Sequence, residues 1–372
     1  MIAALLEAQV ASPDIDVWLL GLNEGRLARI ARGRGIPTEI APETGRSFVD
    51  LLRDVDGLLA QIRPDIVHSH RYKENLLSYL TARRHGAHSV VTLHGSEPPA
   101  DSVQRLKTRI RQSITHRIAR WVGAEFVAVS ADLRERLGLS PSRCIVIPNG
   151  VKLPAHVVER RPLSVGTARS CIGWVGRLVP IKGLSLLLEA FALLPPSLAA
   201  TRLLLIGDGP ERAALEELSR RLGLEDRVEF AGFVADPAPS RARMALFALP
   251  SEHEGIPVAL LEAMAEGIPC VAAAVGGIVE IDGGTGSVRL VRSRDPADWA
   301  REISLLLADP ALCESLGARG RARVAQSFAL DVTAGAYLAL YRKVAAEQVK
   351  RRQSDPDFGE GAAEPASARR ER

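Results

Sequence analysis

In the first half of the chain, short apolar runs alternate with longer stretches whose apolar positions recur every three or four residues. The short runs, at 15–20, 65–69, 89–93, 125–129 and 144–147, predict strands. The periodic stretches near 25–33, 47–62, 74–85, 103–121 and 131–137 predict amphipathic helices. Strands of continuous apolar character, separated by helices, predict a parallel sheet buried on both faces. Pro148-Asn149-Gly150 breaks the pattern with turn chemistry, and the aperiodic residues 151–169, with Pro154, Arg160, Arg161, Pro162 and Gly166, read as a linker. A second alternating set follows over 170–329. Its strands are expected at 171–175, 202–206, 227–230, 245–249 and 270–273, and its helices near 182–194, 211–222, 257–266, 296–307 and 311–328. One more helix is expected over 330–347, and the polar end 348–372 is expected to be disordered. The pattern is that of an α/β protein with two doubly wound halves, 1–150 and 170–329.

Composition adds few constraints. At 372 residues the chain is too long for one ordinary core, and 47% apolar with 25% charged residues is typical of a soluble globular protein. No apolar run reaches the roughly 18 residues of a membrane helix. Residues 1–7 carry no basic leader, so no signal peptide is expected. Cys144, Cys171, Cys270 and Cys313 have no zinc spacing and read as reduced, buried residues of a cytoplasmic protein. A net charge of +4 gives no argument for a nucleic-acid partner. Its distribution is more informative. No acid occurs between Ser102 and Ala124, while Arg105, Lys107, Arg109, Arg111, Arg117 and Arg120 face away from a stripe of Val103, Leu106, Ile110, Ile114, Ile118 and Trp121. The helix 103–121 therefore has a basic face that is either solvated or a peripheral contact with phosphate or the inner face of the cytoplasmic membrane.

The candidate chemistry gathers in the second half. From Pro250 to Gly267 the chain reads as strand end, tight loop and helix, with Gly255 expected to make the turn and Pro257 the first helical position. Glu254 lies at the helix's positive end, where a carboxylate is favoured. Glu262 lies within a helix apolar nearly all round, so burial is expected and a partner is required, either a ligand's hydroxyls or a neighbouring cation. Upstream, Gly173 to Gly183 follows a strand and opens a helix, with Arg177 and Lys182 able to clamp a diphosphate or simply to stand exposed. Gly207-Asp208-Gly209-Pro210 and Gly276-Gly277 follow two other strands. All four loops are expected at the carboxyl edge of one sheet, where ligands of such sheets bind.

Glu254 and Glu262, with Pro250-Ser251 before them and Gly267-Ile268-Pro269 after, resemble the Glu-x7-Glu signature of retaining GT-B glycosyltransferases, glycosyltransferase family four. The Gly-Arg-Leu…Lys-Gly, Gly-Asp-Gly-Pro, Phe230-Ala231-Gly232 and Gly-Gly…Glu280 motifs extend the resemblance over about 171–294. The first half is similar more loosely, through Asp65-Ile66-Val67-His68-Ser69-His70, Thr92-Leu93-His94-Gly95, Val129-Ser130 and Ile147-Pro148-Asn149-Gly150-Val151. The resemblance implies two Rossmann-like domains facing a cleft, the first on the acceptor side and the second binding a UDP-, GDP- or ADP-sugar. It implies transfer with retention to a glycan or lipid-linked acceptor, in assembly of a cell-surface polysaccharide, lipopolysaccharide or glycolipid. Arg177 and Lys182 would neutralise the leaving diphosphate, with no metal or other cofactor. Glu254 would hold the donor sugar and Glu262 the ribose, with Gly176, Gly207, Gly209, Gly255, Gly276 and Gly277 letting backbone approach the donor. His94 would stand near the anomeric carbon. His70 is an acceptor-side candidate, and His68, read as pointing to the opposite face, is assigned to the core.

The chain departs from the family pattern at its start. Members begin with a strand and a Gly-Gly loop before a helix like residues 1–10, so a missing first strand and open strand edges are expected. Ala245, where the family often has aspartate, and the polar Ser287-Val288-Arg289 are smaller departures. A GT-B epimerase or phosphorylase, or a donor-binding remnant without transfer, remain alternatives. A dehydrogenase is opposed by the lack of Gly-x-Gly-x-x-Gly after any strand.

Overall fold

The computed structural model describes residues 2–94, 123–154 and 171–354. The expected basic helix 103–121, Gly95, most of the linker and the end from 355 lie outside the described residues. The chain forms two compact units, one of Ile2–Val129, Arg134–Ile147 and the chain from Thr333, the other of Ser130–Leu133 and Pro148–Val332. No helix among the described residues is long and apolar enough to cross a membrane.

The first unit opens with α1 (Ile2–Val10), β1 (Leu19–Gly21), α2 (Arg26–Gly33), β2 (Thr38–Ile40) and α3 (Phe48–Ile62). It continues through β3 (Ile66–Ser69), α4 (Tyr72–Thr81), β4 (His88–Leu93), β5 (Glu125–Ala128) and β6 (Cys144–Val146). α3 shows how the local pattern becomes structure. Ser47 caps it by accepting a bond from Asp50 N at 3.2 Å, and Leu51, Val55 and Leu59, four residues apart, turn one buried stripe inward. All strand pairings are parallel, but they form two sheets, β1-β2 and β3-β4-β5-β6, with no pairing between β1 and β3. Leu20 of β1 and Val67 of β3 nevertheless pack on the same cluster of Leu22, Leu51, Val55, Leu59 and Leu77.

In the second unit α5 (Ala131–Arg136) begins within Ser130–Leu133. The rest is β7 (Cys171–Val175), α6 (Leu184–Ala192), β8 (Arg202–Ile206), α7 (Arg212–Arg221), β9 (Val228–Gly232), α8 (Ala238–Arg241), β10 (Leu246–Leu249), α9 (Val258–Ala265), β11 (Cys270–Ala273), α10 (Gly277–Asp282), β12 (Arg289–Val291), α11 (Pro296–Ala308) and α12 (Pro310–Ser327). One parallel sheet runs in the order β12-β11-β10-β7-β8-β9. The order reverses at the β10-β7 pair, which makes the carboxyl ends of these strands the natural crevice for a ligand. Every residue of β10 and β11 is buried, as a sheet covered on both faces requires.

The expectations missed β2, β12, α8 and α10, because segments of three to six residues complete no hydrophobic period. The last helix, α13 (Leu330–Ser354), runs past the expected end at 347, so residues 348–354 are helical rather than disordered. They contain no glycine or proline, and the first breaker is Pro356.

Candidate functional site

The loops leaving β7, β8, β10 and β11 are laced together by backbone. Gly176 N donates to Ile206 O at 2.9 Å, Leu178 N to Asp208 O at 3.0 Å, Glu252 N to Ile181 O at 2.8 Å and Gly277 N to Glu254 O at 3.1 Å. This close approach explains two of the glycines. A Cβ on Gly207 would stand 1.7 Å from Gly176 O, and one on Gly277 would stand 1.7 Å from Gly255 O. The same holds more mildly at Gly209, 2.3 Å from Leu178 O. The expected turn is present, as a bend at Gly255 and Ile256 made without a left-handed φ at Gly255. The structure corrects Pro257, which is the cap of α9 rather than its first helical residue, with ψ at 112°.

Lys182, in the turn ahead of α6, and Glu254 meet at this edge. The ammonium lies 2.7 Å from Glu254 Oε1, and Ser251 Oγ donates to the same oxygen at 2.7 Å. Glu254 is only 8% exposed, so the charge pair and the hydroxyl compensate its desolvation. Arg177 stands exposed on the β7 loop. Arg294, which the sequence reading missed, pins the β10 loop by donating to Pro250 O at 2.5 Å and to Ser251 O at 3.4 Å. No local sequence signal marks it, because the contact spans more than forty residues.

The partner that Glu262 requires is Arg241 at the end of α8, buried at 5% exposure. Its Nη1 donates to Glu262 Oε2 at 2.7 Å, while Nε and Nη2 donate to Glu266 Oε1 at 2.9 and 2.7 Å. Glu262 itself is less buried than its helix suggested, its side chain being 35% exposed. It occupies the one polar edge of α9 that the i, i+4 pair with Glu266 creates. Burial raises the Glu262 carboxyl above its ordinary pKa, against the lowering effect of Arg241. The arrangement fixes one carboxylate oxygen on a guanidinium and leaves the other for a hydroxyl donor.

In the first unit three histidines lie together at the carboxyl ends of β3 and β4. The His68 and His70 rings are 4.2 Å apart, and His70 Nδ1 lies 3.1 Å from His94 Nε2. This corrects the expectation that His68 points to the opposite face: residues two apart on a strand share a face. Burial lowers all three pKa values, His68 to about 3, with the charge of His94 adding to the effect, His94 to about 4, and His70 well below the ordinary histidine value. Below about pH 6.5 the unfolded chain takes up protons that the folded chain refuses, so stability is full above that pH and falls toward pH 4 by about 1.4 kcal/mol per pH unit for one such histidine. Denaturant midpoints at pH 7.5 and 5.0 should show this loss, and His68→Asn should reduce it; a midpoint independent of pH would contradict the geometry.

Residues 2–153 match the family model described as Glycosyltransferase Family 4, and residues 169–309 the one described as Glycosyl transferases group 1. The chain is 30% identical to the D-inositol 3-phosphate glycosyltransferase of Kineococcus radiotolerans, covering 89% of this chain and 84% of that protein. It is also 30% identical to the 2-deoxystreptamine glucosyltransferase of Streptomyces kanamyceticus, covering 71% of this chain and 73% of that one. Among solved structures, Anabaena Alr3699/HepE in complex with UDP and glucose superposes with a TM-score of 0.76 at 23% identity, over 92% of this chain and 96% of that one, which is a likeness of fold. Two family matches in tandem and a relative aligned along most of its length place the chain, a glycosyltransferase of GT-B fold, in glycosyltransferase family 4, glycosyl transferases group 1.

Proposed function

We propose that the protein transfers a sugar from a UDP-sugar to a hydroxyl of a small polyol, with retention at the anomeric carbon. The observation that carries this reading is the Lys182–Glu254 pair at the laced carboxyl edge of the second unit's sheet. In the proposed reaction the bond from the anomeric carbon to the diphosphate oxygen breaks, and a bond to the acceptor oxygen forms on the same face of the sugar. The acceptor's proton passes to the departing diphosphate. Lys182, exchanging Glu254 for the donor, and Arg177 stabilise the charge that develops there, a service requiring no metal ion. Glu254, relieved of Lys182, accepts bonds from the donor sugar, and Glu262 uses its second oxygen for the ribose. His94 takes the position beside the anomeric carbon, with His70 behind it on the acceptor side.

UDP as the base carrier is supported by the bound ligand of the Anabaena neighbour, and a polyol acceptor by the names of the two curated relatives. The test is a thermal-shift panel of UDP-, GDP- and ADP-sugars followed by UDP release with D-inositol 3-phosphate, 2-deoxystreptamine or a lipid-linked glycan in the presence of EDTA. Stabilisation by a UDP-sugar and product with one of the polyols is expected. Product with the lipid-linked glycan alone would replace the polyol reading by a polysaccharide or glycolipid one, at the cytoplasmic face of the membrane. Epimerised donor formed without any acceptor would overturn transfer itself.

A further inference from the structure

The His70–His94 pair does not stand alone, and its support comes from the two ends of the first unit's chain. His68, whose ring lies against His70, has both nitrogens occupied: Nδ1 lies 2.6 Å from Tyr341 OH, and Nε2 lies 2.7 Å from Thr92 Oγ1. Thr92 is in turn 2.9 Å from Tyr337 OH, and Gln9 Nε2 of α1 donates to Tyr341 OH at 3.0 Å. Both tyrosines come from α13.

The network has a direction. An amide nitrogen only donates, so the Tyr341 oxygen accepts from Gln9, which leaves the tyrosine's own hydrogen for His68 Nδ1. With that bond made, Nδ1 is bare and the ring hydrogen sits on Nε2, facing Thr92. Thr92 and Tyr337 are fully buried, so an unmet donor or acceptor here would be costly, and the chain of bonds resists other arrangements.

We propose that Tyr337 and Tyr341 are positioning residues, which lock His68 as the Nε2–H tautomer and thereby set the place and orientation of the His70–His94 pair. Neither tyrosine touches a substrate. Their effect on transfer rests on the assignment of His94 to the reaction centre made above.

The test uses the full chain labelled with ¹⁵N-histidine, and compares the wild type with Tyr337→Phe, Tyr341→Phe and Gln9→Met. Each phenylalanine keeps the packed ring and removes only the hydroxyl. Gln9→Met keeps both tyrosines and removes the donor that gives the network its direction, so it serves where a phenylalanine variant folds poorly. Long-range ¹H–¹⁵N spectra of the wild type should show His68 as one Nε2–H tautomer. In Tyr341→Phe and Gln9→Met, His68 should become a tautomer mixture, with the His70 and His94 signals displaced. UDP release from UDP-glucose should fall about ten-fold or more in kcat, as small misplacements near a reaction centre do, with KM changed less than two-fold. Unchanged His70 and His94 signals in all three variants, or a fall in kcat no larger than the loss of folded protein, would overturn the inference. The spectra decide the positioning role, and the wild type's turnover of nucleoside-diphosphate sugars decides separately the function on which its catalytic consequence rests.

Discussion

Lys182→Ala is expected to lower kcat for UDP-sugar turnover by about 10²–10³-fold, the usual cost of removing one preorganised group that stabilises developing charge. Lys182 already lies 2.7 Å from a carboxylate at the laced edge, so its ammonium is held in place before a donor arrives. In the proposed reaction the ammonium moves from Glu254 to the donor's diphosphate, while Ser251, at 2.7 Å, keeps its bond to Glu254 Oε1. A second effect must be separated from the first. Without Lys182, the buried Glu254 keeps only a hydroxyl, and an uncompensated buried charge destabilises the fold. Lys182→Ala combined with Glu254→Gln removes that penalty, and should regain thermal stability without regaining turnover. Steady-state rates and melting curves on the three proteins check both statements. Full turnover by Lys182→Ala would sink the assignment of Lys182 to the leaving diphosphate.

Arg241→Ala is expected to produce the largest loss of stability in the second unit, about 3 kcal/mol, within the range measured when one partner of a buried ion pair is removed. Arg241 is 6% exposed by side chain and serves two carboxylates with three hydrogen bonds. Its removal takes the guanidinium away from Glu266, at 14% side-chain exposure, and from the half-buried Glu262 at once. Arg241→Lys should recover only part of the loss, because an ammonium cannot span both carboxylates as the planar fork does. Urea denaturation at pH 7.5 gives the magnitudes. Donor affinity should fall as well, since Glu262 loses the contact that fixes its orientation. Unchanged nucleotide-sugar binding in a folded Arg241→Lys protein would remove Glu262 from the ribose site.

Much of the molecule was legible in the chain before any coordinates. Hydrophobic period and glycine placement located ten of the twelve strands among the described residues, because a strand buried on both faces leaves an uninterrupted apolar run, as at residues 246–249 and 270–273. The strand-loop-helix order placed Gly176, Gly207, Glu254 and Gly277 at one edge, since parallel strands all deliver their carboxyl ends to the same side. Those features are local or follow from chirality and connectivity, so sequence by itself determined them. What closes around them was decided only by the tertiary structure. Arg241 reaches Glu262 across 21 residues, Arg294 reaches Pro250 across 44, and Tyr341 reaches His68 across 273. Each of these contacts satisfies a buried polar group, and burial is a property of the packed chain. A sequence can show that such a group will need a partner; which residue answers is settled by the packing that removes the water.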